Sequence, residues 1–166
     1  MTAMRPEKVA AGAELPGWTV TPDLTRLVRY ASSSGDFYPL HYDREFAAEQ
    51  GFPGFPVQGL LKTAWLGQLV TGWLRPGDRL LSLEASYRGM DYCGEPIACG
   101  GRVTEVGDVG EVGQASQVGE VDQAGGVGRV AEVGEAAGPV AEIELWTESA
   151  DGRRATLGRA VVRLAR

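Results

Sequence analysis

Asp36 and His41 are the two residues of this sequence whose types and spacing best suit proton-transfer chemistry. His41 is the only histidine among 166 residues, and Asp36 precedes it by five positions across a loop that contains Pro39. Such a loop can fold back so that both side chains face one cavity, where they could hold a water molecule and exchange a proton with it. The spacing alone leaves a second interpretation open, in which His41 is a structural hydrogen-bonding residue.

The two cysteines, Cys93 and Cys99, do not indicate metal or disulfide chemistry. They fall in or beside one predicted strand, and their even spacing would place both side chains on one face of it. A short strand does not favour a bridge between them, and a chain with one histidine and no Cys-x-x-Cys motif does not favour a zinc site. We therefore interpret them as small buried apolar residues and expect no bound metal.

The excess negative charge of the sequence is confined to one segment. Between Glu105 and Val140 there are seven acidic residues and one basic residue, Arg129; subtracting them from the totals of 22 and 16 leaves 15 of each sign elsewhere. The remaining chain is neutral overall and lacks the basic surface that nucleic-acid binding requires. We expect no nucleic-acid partner.

The segment 105–140 is also unusual in composition. It has nine glycines, no aromatic residue and recurring Glu-Val-Gly triplets, and a period of three matches neither a strand nor a helix. We interpret it as a low-complexity insertion between two strands of a single domain that spans residues 1–166. The alternative is a long twisted hairpin whose valines find a partner surface.

The sequence indicates neither a membrane protein nor an exported one. No stretch approaches the ~20 apolar residues that a membrane-spanning helix needs. Residues 1–17 lack the basic start and apolar run of a secretory signal. We expect a cytoplasmic protein with no membrane partner.

The elements around the Asp36–His41 loop predict an α+β domain. A short strand at 17–20 precedes a helix for which Thr21 is the candidate N-cap. Runs of alternating apolar and polar residues predict four longer strands, at 78–90, 95–104, 140–148 and 153–164. An antiparallel, curved sheet of about five strands wrapped around one long buried helix fits this order.

The buried helix is predicted over residues 58–74. Its apolar residues recur every four positions, at Leu61, Trp65, Leu69 and Trp73. Further apolar residues widen this surface, and a helix that is apolar on nearly all sides is a buried one. A row of small residues that would let a ligand or backbone approach closely comprises Gly59, Thr63 and Gly67.

The loop resembles the hydratase motif of the MaoC-like dehydratases, the (R)-specific enoyl-thioester hydratases. That motif runs Ser-Gly-Asp-x-Asn-Pro-Leu/Ile-His-x-Asp. Residues 34–43 here read Ser-Gly-Asp-Phe-Tyr-Pro-Leu-His-Tyr-Asp, a match at seven of ten positions. The resemblance continues through the Gly/Pro/Phe segment, the helix near Gly59 and the strands to Thr104, and it resumes at Val140.

The resemblance implies a hot-dog fold and a reaction. In that family the matched Asp and His activate a water for addition to the double bond of a 2-enoyl thioester, so Asp36 and His41 would be the catalytic pair. Charge that develops on the thioester oxygen would be stabilised by a backbone N–H at the helix start, where Gly59 matches the family's glycine. The substrate would be carried as a coenzyme A or acyl-carrier-protein thioester, and no cofactor is implied.

Two positions near this site depart from the family. Tyr38 stands where Asn is usual, so a hydrogen bond within the loop is either lost or remade by the phenol. Gln58 stands where a His commonly precedes the glycine. We expect both residues to line the substrate site. Four aromatic residues are candidates for the wall of an acyl pocket: Phe55, Phe37, Phe52 and Trp65. Core packing is an equally good explanation for each of them.

The resemblance also implies that two such units lie side by side with the acyl chain between them. The assembly would be a homodimer or a heteromer with a related hot-dog chain, and it would cover an otherwise unpaired sheet edge. Two other functions stay open, namely acyl-thioester hydrolysis and a non-catalytic structural subunit of a heteromeric hydratase. The presence of both Asp36 and His41 argues against the structural subunit, because such a chain would be free to lose them.

Overall fold

The fold is a five-stranded antiparallel sheet that packs against a long helix. The computed structural model describes residues 5–108 and 138–165. In this part of the chain no helix is both long enough and apolar enough to cross a membrane. The elements in chain order are β1 (Trp18–Val20), α1 (Leu24–Ser34), a 3₁₀ turn (Pro39–His41), α2 (Arg44–Glu49), α3 (Gly59–Trp73), β2 (Arg79–Tyr87), β3 (Ile97–Asp108), β4 (Pro139–Ser149) and β5 (Arg154–Arg163).

This arrangement confirms the predicted α+β fold. The strands are hydrogen-bonded in the order β1-β3-β4-β5-β2, and α3 contacts all four of the longer strands. Each large apolar side chain that α3 removes from water stabilises the fold by about 1.5–3 kcal/mol. The four that recur along α3 are all buried, as predicted: Leu61, Trp65, Leu69 and Trp73.

Helix α1 begins slightly later than the sequence predicted. Its N-cap is Asp23, not Thr21, and the Asp23 Oδ1 atom accepts a hydrogen bond from the Arg26 backbone N–H at 2.8 Å. The carbonyl of Pro22 accepts a hydrogen bond from the N–H of Gly94 in the β2–β3 loop. That contact holds Pro22 outside the helix, so the carboxylate that follows it becomes the cap.

Strands β3 and β4 extend further into the Gly-rich segment than predicted. β3 runs to Asp108 and β4 begins at Pro139, and these two residues face each other in the ladder. The side chain of Val106 packs onto the core, which explains why the strand continues past its predicted end at Thr104. The rest of the predicted insertion, residues 109–137, lies outside the described residues.

The two cysteines are free thiols, and Cys99 lies fully in the core. Burial, together with the nearby charge of Asp91, raises the pKa of the Cys99 thiol to about 12. The interpretation as a small apolar residue therefore holds for Cys99. Cys93 is only half-buried and packs at the edge of the core.

A buried ion pair fastens the chain near residue 5 to the C-terminal end of α3. The guanidinium of Arg5 contacts both carboxylate oxygens of Asp78 at 2.7 Å, and the Arg5 backbone N–H donates to the Trp73 carbonyl. Asp78 also accepts the backbone N–H groups of Arg75 and Ala165. Burial opposes the charge on Asp78, but the hydrogen bonds from Arg5 and from these two amides outweigh it and lower the pKa of the carboxyl group.

We expect Asp78→Asn to lower the free energy of unfolding at neutral pH by about 3–5 kcal/mol, because it leaves a buried cation unpaired. The lowered pKa sets the sign of the pH dependence. The stabilisation is complete above the unfolded pKa of about 3.9 and is lost as the pH falls through the lower folded value. Urea unfolding at neutral and acid pH measures both effects. Equal acid sensitivity of the wild type and Asp78→Asn would contradict this role for Asp78.

Candidate active site

The end of α1 brings Asp36 towards His41. Gly35 ends the helix in the left-handed conformation, with φ of 78°, which glycine adopts without strain. Asp36 follows directly, and its backbone N–H donates to the Ser34 hydroxyl at 3.3 Å. The Asp36 Oδ2 atom lies 3.7 Å from the His41 Nε2 atom. This distance is too long for a direct hydrogen bond, and it suits two groups that share a water molecule.

The other ring nitrogen of His41 determines which atom can accept a proton. The Nδ1 atom lies 2.8 Å from the carbonyl oxygen of Pro56. A carbonyl can only accept, so in the neutral ring Nδ1 carries the hydrogen and Nε2 presents its lone pair towards Asp36. The His41 side chain is 12% exposed and that of Asp36 is 37% exposed. The arrangement therefore fixes an imidazole, with one nitrogen free to accept a proton, beside a carboxylate that solvent can reach.

Tyr38, which stands in place of the family's Asn, packs through its ring. The ring lies edge-on to Phe46, with centroids 5.4 Å apart, and edge-on to His41 at 6.4 Å. The hydroxyl that donates within the loop is that of Tyr42, which reaches the Phe37 carbonyl at 2.7 Å. Aromatic packing and a neighbouring phenol thus hold the loop where the family's Asn would be expected to do so.

The first turn of α3 begins three residues after Pro56. Gly59 is its first residue, and the backbone N–H groups of a first helical turn have no partner within the helix and carry partial positive charge. Gln58, the N-cap residue, is fully buried, and its Nε2 atom donates to the Leu27 carbonyl in α1 at 3.0 Å. Its Oε1 atom has no hydrogen-bond partner among the described residues. The Gln58 side chain therefore joins two helices and is not at the open surface of the site.

Tyr87 lies directly over this first turn, although no motif in the sequence marks it as a site residue. A Cβ atom on Gly59 would come within 2.9 Å of the Tyr87 ring. The Tyr87 hydroxyl is 2.7 Å from the Thr63 hydroxyl. About two turns beyond Gly59, a Cβ on Gly67 would meet Leu83 of β2. The small-residue row predicted along the helix is thus filled by side chains of β2.

A second tyrosine shares the region of Asp36. Burial raises the pKa of Tyr30, and the charges of Tyr87 and Asp36 raise it further. The two phenols and the carboxylate therefore lie close enough to interact electrostatically. No sequence pattern connects α1 to the end of β2, so only the folded structure reveals this cluster.

An open cavity of about 530 Å³ lies beside the loop, between α2 and the Gly/Pro/Phe segment. This volume is in the range of small-molecule sites. Among the predicted pocket aromatics, Phe52 and Phe55 line it, whereas Phe37 is exposed and Trp65 is buried in the core. Asp36 and His41 are not part of its wall. The residues that line it are Arg44, Ala47, Ala48, Phe52, Pro53, Gly54, Phe55 and Cys93.

The sheet packed around one helix, with an Asp/His pair beside the helix N-terminus, defines a hot-dog domain. The model of the MaoC like domain matches residues 10–123 of the chain. This match covers more than half of the sequence, and the chain belongs to the MaoC-like family.

Known proteins agree with this assignment in sequence and in fold. Over 95 residues the chain is 31% identical to the beta subunit of 3-oxo-4,17-pregnadiene-20-carboxyl-CoA hydratase from Mycobacterium tuberculosis, covering 57% of this chain and 74% of that subunit. One chain of the ChsH1-ChsH2 complex from the same organism superposes with a TM-score of 0.69 at 19% identity, over 95% of this chain and 100% of that chain. The (R)-hydratase from A. caviae involved in PHA biosynthesis superposes with a TM-score of 0.70 at 19% identity, over 96% and 100%.

The contact of Tyr87 with the first turn of α3 predicts that any side chain at Gly59 destabilises the fold. We expect Gly59→Ala to lower the free energy of unfolding by about 1–3 kcal/mol, because the ring, held by Thr63, must move. Gly67→Ala is the matched control. Its nearest neighbour is a flexible Leu83 methyl at 3.2 Å, and alanine is the better helix former by about 1 kcal/mol, so we expect no loss.

Urea unfolding of both variants, each with and without Tyr87→Ala, measures this effect. The loss caused by Gly59→Ala should shrink when the ring is removed. A loss that persists in full without the ring would show that Tyr87 is not the obstacle.

Proposed function

We propose that this domain adds water to a 2-enoyl thioester and, in the reverse direction, removes it from a 3-hydroxyacyl thioester. The observation that carries the proposal is the orientation of His41. Its Nδ1 atom is held by the Pro56 carbonyl, and its Nε2 atom faces the Asp36 carboxylate at 3.7 Å. Membership in the MaoC-like family supports the same reaction.

In the first step the pair activates water. A water between His41 and Asp36 donates one hydrogen bond to Nε2 and one to the carboxylate. As its oxygen bonds to Cβ of the enoyl group, Nε2 takes the proton, and the neighbouring carboxylate stabilises the imidazolium that forms. The electron pair of the double bond moves towards Cα and the thioester oxygen.

In the second step the resulting enolate is protonated at Cα. Its oxygen is stabilised by the backbone N–H groups at the start of α3, near Gly59, which are already oriented and need no rearrangement. The Asp36/His41 pair returns the proton to Cα and ends in its starting protonation state. One water is consumed and one C–O and one C–H bond are formed. The acyl group is proposed to be carried on coenzyme A or an acyl-carrier protein, with no further cofactor.

We expect Asp36→Asn and His41→Ala each to lower kcat about 100- to 10,000-fold while the fold is retained, since each removes one of the groups that handle the proton. The double variant should be little worse than the single ones, because both groups act on one water. Crotonyl-coenzyme A hydration, followed by loss of the enoyl absorbance, is the measurement. Wild-type rates in both single variants would exclude this mechanism.

Asp43→Asn is the matched control, because it makes the same change in the same motif. Asp43 caps α2 by accepting the backbone N–H groups of Glu45 and Phe46. Asn is as good an N-cap as Asp, so activity should be unchanged. Thiol release should be monitored in parallel. Release without hydration would point instead to acyl-thioester hydrolysis.

We also propose that the domain works as part of a pair of hot-dog units. Within the described residues β2 pairs only with β5, so its other edge is open. Large apolar side chains are exposed on the elements that form the site, and such patches favour protein–protein contact. They are Phe37 and Tyr38 in the loop, Leu60 in α3 and Met90 after β2.

The partner is either a second copy or a related hot-dog chain. A symmetric pair would contain two equivalent sites, because a symmetric interface is self-complementary. A mixed pair is supported by the similarity to a hydratase beta subunit and by the fold shared with the ChsH1-ChsH2 complex. In a mixed pair this chain would be either the catalytic or the structural member.

Light scattering at micromolar concentration should give about twice the 17.6 kDa mass of one chain. Leu60→Glu should dissociate the pair, since it puts a charge into the apolar patch. Leu157→Glu, on the outer face of β5 and similarly accessible, should leave the mass unchanged. A fully active monomer would contradict the assembly. An inactive monomer that a second chain activates would identify the mixed pair.

A further inference from the structure

A buried lysine lies in the otherwise apolar helix α3. Lys62 is 2% exposed, and its Nζ atom is 2.9 Å from Oδ2 of Asp91 and 3.3 Å from the carbonyl oxygen of Gly89. Asp91 is 1% exposed, and its Oδ1 atom accepts a hydrogen bond from the Ser149 hydroxyl at 2.8 Å. Apolar residues of similar size often serve stability as well as a buried ion pair does. The pair therefore suggests a role beyond packing.

The backbone of Asp91 is joined to the segment that orients His41. The backbone N–H of Val57 donates to the Asp91 carbonyl at 2.8 Å, and that of Cys93 donates to the Phe55 carbonyl at 2.9 Å. These two hydrogen bonds form a short antiparallel pair of segments. The segment before α3 is therefore held by the turn that follows β2.

This pairing leaves the carbonyl of Pro56 facing the opposite side. Successive carbonyl groups of an extended chain alternate in direction, so the Pro56 carbonyl points away from Asp91 and reaches Nδ1 of His41. We infer that Lys62 and Asp91 are positioning residues that hold His41, through Pro56, with Nε2 as its proton acceptor. The inference rests on the proposed function, since it gives the ion pair a part in the same proton transfer.

Loss of the ammonium group would leave the Asp91 carboxylate buried without its cation. The turn that carries Asp91 would then shift to reach solvent or another donor, and Pro56 would move with it. Without that carbonyl the neutral imidazole returns to the Nε2–H form that prevails in free histidine. The nitrogen that faces Asp36 would then be a donor and could no longer take a proton from water.

A second buried ion pair serves as a control that distinguishes the positioning of His41 from an effect on overall stability. Arg5 and Asp78 are 3% and 0% exposed and lie at the C-terminal end of α3, whereas Lys62 lies in the first turns of the same helix. Breaking either pair should destabilise the fold. Asp91 is hydrogen-bonded to Val57 in the segment that contacts His41, whereas among the described residues Arg5 and Asp78 make no hydrogen bond to that segment.

The test uses the fact that His41 is the only histidine. Nitrogen-15 NMR of the imidazole, at a pH where the ring is neutral, reports the tautomer of this one residue without overlap. The wild type should show the Nδ1–H form. Lys62→Met and Asp91→Asn should shift the ring towards the Nε2–H form and lower kcat about 10- to 100-fold, with KM changed less. Lys62→Arg should retain much of the Nδ1–H form and of the wild-type kcat. Arg5→Met should lower the melting temperature without changing the tautomer.

If a single variant does not fold, the apolar double variant Lys62→Met/Asp91→Leu takes its place in the test, because it leaves no unpaired buried charge. It should fold and still lose the Nδ1–H form, because it removes the Lys62 contact with Gly89 and the Ser149 hydrogen bond to Asp91 that hold the turn in place. An unchanged tautomer in the folded variants, or an equal shift in Arg5→Met, would overturn the inference. A wild type that shows these NMR shifts but hydrates no enoyl thioester would retain the positioning of His41 and reject the proposed reaction.

Discussion

Enclosure of α3 is the constraint on which the rest of the structure depends. A helix that is apolar on nearly every side is stable only where other elements cover it, and here β2 to β5 supply that cover. The first turn cannot be enclosed in the same way, because its backbone N–H groups need polar partners. The fold thus gathers polar groups at one end of an apolar core, and the carbonyl of Pro56, three residues before α3, contacts His41 at this end.

The polar groups near the first turn of α3 are held by hydrogen bonds between different elements. The Pro56 carbonyl fixes the imidazole of His41, the Thr63 hydroxyl meets that of Tyr87, and the Asp91 carboxylate meets Lys62. These contacts connect the loop after α1, the end of β2 and the turn beyond it to α3 and to the segment just before it. Hydrogen-bonded support of this kind is what preorganises the side chains of a binding or catalytic site.

The helix, the strands and the Asp36/His41 pair could be predicted from the sequence, because the patterns that indicate them are local. The four-residue apolar period identified α3, alternation identified the strands, and the short Asp36-to-His41 spacing indicated two side chains that could meet. Contacts between distant elements could not be predicted. Whether Tyr87 faces the helix depends on strand register, since a shift of one residue reverses every side chain. The direction of the Gln58 side chain also depends on a distant element, because its Nε2 atom donates to a carbonyl of α1.

The meeting of Asp108 with Pro139 at the far end of the β3–β4 ladder has a consequence for how the gene can vary. The β3–β4 ladder holds these two strand ends opposite each other, so the described sheet is paired up to both of them. The entropy of closing such a connection grows only with the logarithm of its length, by about 0.6 kcal/mol for each doubling. We therefore expect a change in the number of codons between these two positions to leave the pairing of β3 with β4 in place. Related genes are expected to differ most in length at this junction.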